Sequence, residues 1–519
     1  MIQNIQYFMD NYAFLGGAAH TLLRQAVLMK QTGKTVHIAV SEYGLEAVCE
    51  EYMHLCRAAD IPVSKLDFSV SSQPEGTDIL AILESYENIR DFLKLRKPDI
   101  VHSLQLNPTV ELACRELAIP HVMNIYQALP EFFRLPYPDI YPHFHICDSL
   151  MYAAFWRRYL GTESWCVRTL AGAGIRKKCM PDYNHLRIVC VGLLCERKNQ
   201  IEVIRGFELA VRKGLRGTLQ LWGHINREYG DRCAQYITEQ HLEESVAIMG
   251  FSEDMESVYQ NCDALICGSL SESYPNVISE AMATDVAVIS TPVAGVPELV
   301  RDWENGYLCT GFCGEDIAEK LLRFSEDVKK GTISRILDNG YRTWEENHSP
   351  KAVVRSLEAA YRDIVSGYGL TSRTVYTIQD VKSEMAWFVE CVLKLPEEFA
   401  YGYFIKINLW KIYAVIRCLR EMIKTQHKKC FIWGTGKYGH LYGEILHLFA
   451  PDMRIAGFTD SHRTGRFEGY EIISPETVLE SGENVILIGV KACQEIMETL
   501  NTQGLIYGRD YFTFEQMPW

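Results

Sequence analysis

The stretch Gly268-Ser-Leu-Ser-Glu-Ser-Tyr-Pro-Asn-Val-Ile-Ser-Glu-Ala-Met-Ala283 follows a short apolar run, Asp263-Ala-Leu-Ile-Cys267, and sets two glutamates around the start of one helix. The apolar run predicts a buried parallel strand, and the polar Gly/Ser segment predicts the loop after it. Pro275 fits the first helical position, with Ser273 or Tyr274 as the cap. Together these segments predict one strand-loop-helix unit of a doubly wound α/β sheet.

The predicted helix start carries groups that suit a nucleotide sugar. The N–H groups of Asn276, Val277 and Ile278 are expected to point out of the helix, where unpaired donors and the helix dipole bind phosphate. Glu272, in the loop, can accept from sugar hydroxyls, and Glu280, more than one turn into the helix, can accept from a ribose. Acidic residues near a helix start also simply complement the dipole, so the surrounding sequence has to decide.

The region from Leu186 to Phe324 alternates apolar strands with helical segments, as a doubly wound sheet requires. The predicted strands are 186–192, 219–223, 246–250, 264–267 and 286–290. Ligands of such sheets lie at the carboxyl ends of the strands. The candidate positions that follow the strands are Lys198, Gly223-His224, Gly250-Phe251, Glu272 and Ala294-Gly-Val-Pro-Glu298.

Residues from about 186 to 325 resemble the donor-binding half of the retaining GT-B glycosyltransferases of family 4, the group 1 glycosyl transferases. The resemblance is carried by Val191-Gly192, Lys198-Asn199, Gly250-Phe251, the Glu272 to Glu280 motif with Ala281-Met-Ala283, Thr291-Pro-Val-Ala-Gly-Val-Pro-Glu298 and Asn305-Gly306. It implies that Lys198 neutralises the diphosphate of a UDP- or GDP-sugar donor, that Glu272 contacts the transferred sugar and that Glu280 holds the ribose. Backbone near Phe251 is then expected to border the base.

One cation of that family is absent from its usual place. The family carries an arginine just after the glycine of its first strand, where this chain has Leu193. Arg197, beside Lys198, can substitute because a guanidinium binds phosphate in a bidentate fork, although it approaches from another direction. The alternative is a solvated cation at a helix start. The expected catalytic residues are Glu272, Lys198 and Arg197.

Residues 1 to 180 predict a second doubly wound sheet, which corresponds to the other half of a GT-B fold. Strands are expected at 5–8, 35–39, 99–102, 121–125 and 144–147. Gly16 and Gly17 resemble the family's N-terminal glycine loop, which approaches the donor diphosphate from across the cleft. Glycines allow such a close approach, but the same pair also fits a plain turn. The donor-binding residues expected here are Glu280, Gly16, Gly17, Gly223, Phe251, Tyr274, Pro275, Asn276 and Val277.

The acceptor side is less defined by the sequence. Many relatives place a histidine at the end of the fourth predicted strand, where this chain has Tyr126 followed by Gln127. His102, at the end of the preceding strand, either faces the cleft or is a satisfied core residue. We keep Tyr126 and His102 as candidate acceptor-side residues, and the resemblance implies a glycan or lipid-linked acceptor.

The mechanism expected from these residues needs no metal and no further cofactor. The sequence contains no Asp-x-Asp, so the metal-bound diphosphate of the other large glycosyltransferase fold has no support. Charge on the leaving diphosphate is expected to be met by Lys198, Arg197 and helix N–H groups. The resemblance implies retention of configuration, and we expect same-face attack in which the departing phosphate oxygen takes the acceptor proton.

The length of 519 residues predicts about three domains. We expect an N-terminal acceptor-side domain at 1–180, a donor domain at 181–366, a helical connector at 367–426 and a small Rossmann-like domain at 427–519. The predicted helix at 350–366 resembles the segment that crosses back to the N-terminal half. The fold class expected is therefore α/β, with two facing doubly wound domains and a smaller third one.

The third domain carries a dinucleotide fingerprint in its required strand-turn-helix context. Gly434, Gly436 and Gly439 follow an apolar strand, and Asp460 ends the next strand. About four strands are expected, at 431–433, 455–458, 485–488 and near 511–513. Nucleotide or nucleotide-sugar binding, a structural or dimerising role, and redox chemistry with NAD all remain open. No Tyr-x-x-x-Lys pair of a short-chain reductase occurs from Lys428 onward.

Composition favours a cytoplasmic enzyme and argues against nucleic acid as a partner. The formal net charge is -14 and the pI is near 5.6, whereas general nucleic-acid binding needs a basic surface. No apolar stretch approaches 18 residues, and no signal peptide is indicated. The cluster Phe155-Trp-Arg-Arg-Tyr159 either touches an anionic membrane surface or is an ordinary amphipathic helix. Homo-oligomer formation also stays open.

Two functions from different classes follow from this sequence. The first is a retaining glycosyltransferase of bacterial surface polysaccharide biosynthesis. The second is a catalytically silent protein that binds nucleotide sugars and regulates or scaffolds a partner enzyme. Leu193 and Tyr126 favour the second function, whereas Glu272, Glu280 and Lys198 favour the first.

Overall fold

In its described residues, the computed structural model has three β-sheets. It describes residues 2–9, 17–41, 50–66, 79–104, 108–126, 143–160, 162–172, 174–176, 180–368, 377–380, 382–383, 386, 415–416, 419–420, 422–423, 426–451, 453–490, 493–505 and 510–513. Most of the connector predicted at 367–426 lies outside the described residues, and so does Gly16.

The first sheet has seven parallel strands in the order β3-β2-β1-β4-β5-β6-β7. Its strands are β1 (Asn4–Met9), β2 (Thr35–Ser41), β3 (Val63–Leu66), β4 (Ile100–Leu104), β5 (His121–Asn124), β6 (Phe144–Cys147) and β7 (Glu163–Cys166). Its helices are α1 (Gly17–Gln31), α2 (Glu50–Ala58), α3 (Ile79–Arg96), α4 (Pro108–Glu116) and α5 (Leu150–Leu160). The five predicted strands are confirmed, and the two edge strands β3 and β7 were not predicted.

The second sheet has six parallel strands in the order β10-β9-β8-β11-β12-β13. Its strands are β8 (Leu186–Val191), β9 (Gly217–Trp222), β10 (Val246–Gly250), β11 (Ala264–Cys267), β12 (Ala287–Ser290) and β13 (Tyr307–Leu308). Its helices are α6 (Gln200–Arg212), α7 (Arg227–Glu239), α8 (Met255–Gln260), α9 (Asn276–Met282), α10 (Val296–Leu299), α11 (Gly314–Lys330) and α12 (Ile333–Asn347). A 3-10 turn at Glu196–Lys198 precedes α6.

Strand β11 shows why an apolar run without alternation forms the centre of this sheet. Ala264 and Ile266 enter one hydrophobic core, and Leu265 and Cys267 enter the core on the other face. All four residues are buried because helices cover both faces of the sheet. This strand therefore holds the loop after it, including Glu272, on a rigid support.

Helix α13 (Pro350–Gly367) follows the second sheet but packs against the first. Val353, Leu357, Tyr361 and Ile364 belong to the hydrophobic core that β1 and α1 form. Ser349 caps the helix by accepting from the amide of Ala352. The chain thus returns to the N-terminal domain, as the sequence predicted for this helix.

The third sheet has six strands in the order β16-β17-β15-β14-β18-β19, rather than the four expected. Its strands are β14 (Lys429–Trp433), β15 (Ile455–Thr459), β16 (Arg466–Phe467), β17 (Tyr470–Ile473), β18 (Asn484–Ile488) and β19 (Tyr511–Phe512). Its helices are α14 (Lys437–Phe449), α15 (Pro475–Glu480) and α16 (Gln494–Thr502). The two strands that were not predicted, β16 and β17, pair antiparallel as a hairpin at the edge of the sheet.

The third sheet shares a hydrophobic core with the first. Buried residues of α3 and α4 lie in the same cluster as Val415, Ile416 and Leu419 and as residues of β14 and α14. Burial of such apolar surface is the main force that holds one domain against another. The third domain is therefore packed on the N-terminal domain.

Candidate functional site

The candidate site lies at the carboxyl edge of the second sheet, where the strand order reverses. The chain runs outward from β8 to β9 and β10 on one side, and from β11 to β12 and β13 on the other. Ligands of open α/β sheets bind at such a switch point. Lys198 follows β8 and Glu272 follows β11, so the two neighbouring strands at the switch point bring them together.

Lys198, Arg197 and Glu272 form one cluster of charges. The Nζ atom of Lys198 lies 2.5 Å from Oε1 of Glu272, and a guanidinium nitrogen of Arg197 lies 3.3 Å from the same oxygen. The hydroxyl of Ser269 also donates to this oxygen at 2.8 Å. Arg197 therefore reaches the same point as Lys198, and it is not a cation isolated in solvent.

The two loops that carry these residues are also joined through their backbones. The amide of Leu270 donates to the carbonyl of Arg197 at 2.8 Å, and the Arg197 guanidinium donates to the carbonyl of Ser271 at 2.8 Å. Asn199 caps the end of the 3-10 turn with a left-handed φ of 58° and is also the N-cap of α6. These bonds fix the separation between the cations and the carboxylate.

Two glycines allow the strands to end close together beneath this cluster. Gly192 has φ 146° and Gly223 has φ 143°, values that side chains rarely adopt. A Cβ at Gly223 would clash with the carbonyl of Gly192, and a Cβ at Gly192 would lie 3.2 Å from Cε of Lys198. The predicted donor residue Gly223 thus has a structural reason to be glycine, whatever ligand binds. Leu193, where the resemblance implied an arginine, is 45% exposed.

Glu280 lies in α9, in the same domain, and its acidity is altered by its surroundings. Burial raises the pKa of its carboxyl above the ordinary value, while a hydrogen bond from Tyr259 and the charge of Arg24 lower it. The hydroxyl of Tyr259 donates to Oε2 of Glu280 at 2.9 Å. Because Arg24 belongs to α1 of the first sheet, the carboxylate of Glu280 is influenced by both domains.

The start of α9 differs in detail from the sequence prediction. Pro275 is the N-cap, with φ -71° and ψ 115°, and helical residues begin at Asn276, so the predicted cap at Ser273 or Tyr274 is wrong by one or two residues. The amide of Ile278 donates to the carbonyl of Pro275 at 3.2 Å, so it is not one of the outward donors. Asn276 and Val277 occupy the first turn, and the Asn276 side chain accepts from Thr169 at 2.6 Å.

Phe251 and His224 form an exposed stack beside the ends of β9 and β10. Their ring centroids are 4.3 Å apart and the ring planes differ by 9°. Phe251 is 59% exposed, so an aromatic face is presented at the carboxyl edge of the sheet. Side chains, as well as the backbone expected from the sequence, therefore border this end of the site.

The first sheet contributes little of what was expected for the acceptor. Gly17 is the first residue of α1 and has nothing near the position of a Cβ, while Gly16 lies outside the described residues. Tyr126 follows β5 and is buried, and its hydroxyl accepts from the Asn124 side chain. Residues 127–142, which follow Tyr126, are also outside the described part of the chain.

His102 is a satisfied core residue and not part of a cleft. It is fully buried in β4, with Nδ1 2.6 Å from the hydroxyl of Tyr361 and Nε2 2.8 Å from Oδ1 of Asn124. Burial lowers the pKa of His102 to about 3, so the ring is neutral. Of the two roles that the sequence left open, the structure therefore supports the structural one.

A polar cluster between the two domains was not predicted from the sequence. Asp148, just after β6, accepts from the hydroxyl of Ser273 at 2.7 Å on each carboxylate oxygen. Glu298 accepts from a guanidinium nitrogen of Arg168 at 2.8 Å and from the first amides of α5. Burial raises the pKa of Asp148 to about 7, although the Ser273 hydrogen bond opposes the shift. These contacts join the carboxyl edges of the first and second sheets.

In the third domain, the glycine loop and Asp460 are tied together. Oδ2 of Asp460 accepts from the amide and the hydroxyl of Thr435 at 3.0 and 2.7 Å, and Oδ1 accepts from the amide of His462. Burial raises the pKa of Asp460, but these hydrogen bonds outweigh it and the pKa lies below its ordinary value. The carboxylate thus has a structural role that competes with binding a ribose.

The three glycines of the fingerprint have different surroundings. A Cβ at Gly439 would clash with the carbonyl of Gly434, and a Cβ at Gly434 would lie 2.7 Å from the carbonyl of Gly489. Nothing lies within 4 Å of the Cβ position at Gly436, the N-cap of α14. Two glycines are therefore required by packing, and one faces open space.

The described residues contain neither a metal-binding cluster nor a helix that could cross a membrane. No group of three or more His, Cys, Asp or Glu side chains is placed to hold a metal ion among them. No helix in the described ranges is long and apolar enough to cross a membrane.

Part of the chain that holds the site is similar to a known sequence family. Residues 185–327 match the family described as "Glycosyl transferases group 1". The chain is 28% identical over 172 residues to the capsular polysaccharide biosynthesis glycosyltransferase CapM of Staphylococcus aureus, which is 33% of this chain and 44% of that protein. It is 26% identical over 133 residues to the N-acetyl-alpha-D-glucosaminyl L-malate synthase of Bacillus anthracis, which is 25% of this chain and 34% of that protein. The chain thus spans less than half the length of these relatives.

Solved structures match a larger part of the chain. A glycosyltransferase from Rickettsia africae ESF-5 aligns with a TM-score of 0.59 and 16% identity, covering 70% of this chain and 99% of that one. Anabaena Alr3699/HepE in complex with UDP aligns with a TM-score of 0.57 and 19% identity, covering 69% of this chain and 99% of that one. These similarities and the sheet topology establish an α/β fold of the GT-B type, as the sequence predicted.

Proposed function

We propose that this protein is a glycosyltransferase that moves a sugar from a nucleotide-sugar donor to a glycan or lipid-linked acceptor. The observation that carries the proposal is the cluster of Lys198, Arg197 and Glu272 at the switch point of the second sheet. The cluster lies within the residues that match the group 1 glycosyl transferases. A role in polysaccharide biosynthesis is supported by the similarity to CapM.

In this proposal, the two cations stabilise the diphosphate as it leaves. Lys198 and Arg197 both contact Glu272 in this structure, and a bound diphosphate would share them with that carboxylate. Fixed charges are most effective where charge develops in the transition state, because they need no reorganisation. Arg197 then supplies the second cation that the family has at the position of Leu193. Glu272 contacts the transferred sugar, and Glu280 binds the ribose.

The chemistry proposed is transfer with retention of configuration and without a metal. The acceptor hydroxyl attacks from the face that the diphosphate leaves, and a departing phosphate oxygen takes its proton. No described side chain is required as a proton shuttle in this scheme. Tyr126 is proposed to lie on the acceptor side because it follows a strand of the facing sheet. NMR analysis of the product anomer tests the stereochemistry, and an inverted product would reject it.

The first donor to test is a UDP-sugar, because the similar HepE structures contain UDP and UDP-glucose. Release of nucleoside diphosphate would be measured with UDP-, GDP- and ADP-sugars, with and without a lipid extract. Release from one donor that is lost in Lys198→Ala supports the transferase. Binding of a donor without turnover would instead support the silent scaffold, which the exposed Leu193 favours.

For the third domain we propose binding of a nucleotide or nucleotide sugar rather than redox chemistry with NAD. Gly436 faces open space at the start of α14, which allows a phosphate to approach the backbone. Asp460, which would bind a ribose in NAD, is already bonded to Thr435. Titration with NADH, followed by its fluorescence, separates the two roles, and saturable NADH binding would favour the redox one.

A further inference from the structure

The loop that carries Glu272 is held by hydrogen bonds from the other domain. The hydroxyl of Tyr152, in α5, donates to the backbone carbonyl of Glu272 at 2.8 Å. The hydroxyl of the next residue, Ser273, donates to both carboxylate oxygens of Asp148 at 2.7 Å. Both bonds cross between the domains, because Tyr152 and Asp148 lie in the domain of the first sheet and Glu272 and Ser273 lie in the domain of the second.

The surroundings of this contact leave little room for the loop to move. Gly295 fits between the two domains, since a Cβ there would lie 2.9 Å from the carbonyl of Ser273 and 3.0 Å from Cβ of Ser149. Its amide donates to the same Ser273 carbonyl at 3.2 Å. The Arg168 guanidinium lies 4.5 Å from the ring centroid of Tyr274 and donates to the backbone carbonyl of Asp148 at 2.8 Å. Each of these groups is close-packed, so a shift of one domain displaces the loop.

The Glu272 side chain is bound by groups of its own domain. Its carboxylate accepts from Lys198, Arg197 and Ser269, all of the second domain. The backbone of the same residue is held from the first domain. The position of the Glu272 carboxylate therefore depends on both domains, because the bond from Tyr152 adds to the bonds by which the second domain holds the same loop.

We propose that Asp148 and Tyr152 are positioning residues for Glu272, which hold its loop at the geometry needed for transfer. Neither residue needs to touch the donor for this role. The inference rests on the proposed function, because it assigns importance to the position of Glu272. It adds that the loop of Glu272 is held in part by the other domain.

Two variants remove one interdomain hydrogen bond each. Tyr152→Phe deletes only the hydroxyl that binds the Glu272 carbonyl, and Ser273→Ala deletes the donor to Asp148. A neutral hydrogen bond changes an equilibrium by up to about tenfold, and a bond to a carboxylate changes it by about ten- to a hundredfold. The kcat is therefore expected to fall by up to about tenfold in Tyr152→Phe and by up to about a hundredfold in Ser273→Ala. The donor KM is expected to change less than kcat, because the loop position matters most where charge develops in the transition state. Ser273→Thr keeps a hydroxyl and is expected to restore kcat.

The matched control is Tyr236→Phe, which removes a hydroxyl of the same kind from a bond within the second domain. Tyr236 donates to Glu208 at 2.8 Å, away from the carboxyl edge of the sheet. The inference is supported when Tyr152→Phe and Ser273→Ala lose kcat and Tyr236→Phe does not. It is overturned when all three variants lose the same fraction of kcat. It is also overturned when the loss of kcat in Tyr152→Phe and Ser273→Ala is explained by the loss of folded protein that their melting curves show.

Hydrogen–deuterium exchange of the full chain tests the inference independently of activity. Faster exchange at residues 269–274 in Tyr152→Phe and Ser273→Ala, with no change in Tyr236→Phe, would show that the bonds hold this loop. Unchanged exchange at these residues would reject the positioning role even in an active enzyme. If the wild type releases no nucleoside diphosphate from any donor, the proposed function fails, and the exchange result still decides whether the loop is held across the domains.

Discussion

Removal of the Lys198 ammonium is the most informative single perturbation of the candidate site. Lys198 is 15% exposed and lies 2.5 Å from Glu272, so its charge acts in a largely dehydrated place. A preorganised group that stabilises transition-state charge is typically worth about 3 to 4 kcal/mol, or 10²- to 10³-fold in kcat. Arg197 remains beside Glu272 in Lys198→Ala, but its side chain is 49% exposed. Partial compensation by this exposed cation places the expected loss near the lower limit, about 10²-fold.

The assay is steady-state release of nucleoside diphosphate, with kcat and KM measured for wild type, Lys198→Ala and Lys320→Ala. Lys320 is a matched control because it is 10% exposed and pairs with Asp302 at 2.8 Å in the same domain, outside the Lys198 cluster. Lys320→Ala is expected to lower stability and leave kcat nearly unchanged. The reasoning is refuted if Lys198→Ala keeps wild-type kcat, or if the control loses as much activity.

Three further predictions concern groups whose environment the structure defines. Glu280→Gln is expected to weaken donor binding, because the ribose hydroxyls need the carboxylate as acceptor. In the wild type, donor affinity should fall as the pH drops through the raised pKa of Glu280. Calorimetry that gives equal donor affinities for the wild type and the variant would contradict this role. Asp148 faces Ser273, Arg168 and Glu298, and burial raises its pKa from 3.8 to about 7. The folded state therefore favours the neutral carboxyl, and charging this group costs the folded state up to about 4 kcal/mol. The free energy of unfolding should therefore fall as the pH rises from about 4 to about 7, and chemical denaturation of Asp148→Asn should show a smaller fall; identical profiles would contradict the assignment. In the third domain, Gly439→Ala should lower the melting temperature, because the added Cβ clashes with the carbonyl of Gly434. Gly436→Ala should leave the melting temperature unchanged and reduce nucleotide affinity. Equal melting temperatures for the two variants would contradict the packing argument.

The sequence predicted the central strands because they are apolar on both faces. Strand β11 is an uninterrupted apolar run, and its residues fill two cores. The edge strands β3 and β7 include polar and partly exposed residues such as Ser64, Lys65 and Glu163, so the apolar signal is weak there. The hairpin of β16 and β17 turns through Glu468 and Gly469, both with positive φ, and glutamate is not a usual residue for such a turn.

The candidate site was predictable where it depends on strand order and not where it depends on domain packing. Lys198 and Glu272 follow neighbouring strands, so their meeting follows from the sheet. Asp148 and Ser273 are 125 positions apart, and they meet only because two separate domains pack together. His102 has a partner 259 positions away, Tyr361, which no local pattern could indicate.

The measurement that tests the central claim most directly is sugar transfer itself. The protein would be incubated with the donor that it hydrolyses or binds and with a lipid extract, and the product would be analysed by mass spectrometry alongside Glu272→Gln. We predict an acceptor heavier by one sugar residue, formed in the same amount as the nucleoside diphosphate released, and lost in the variant. A donor that binds at this site but never yields a glycosylated product would contradict the claim.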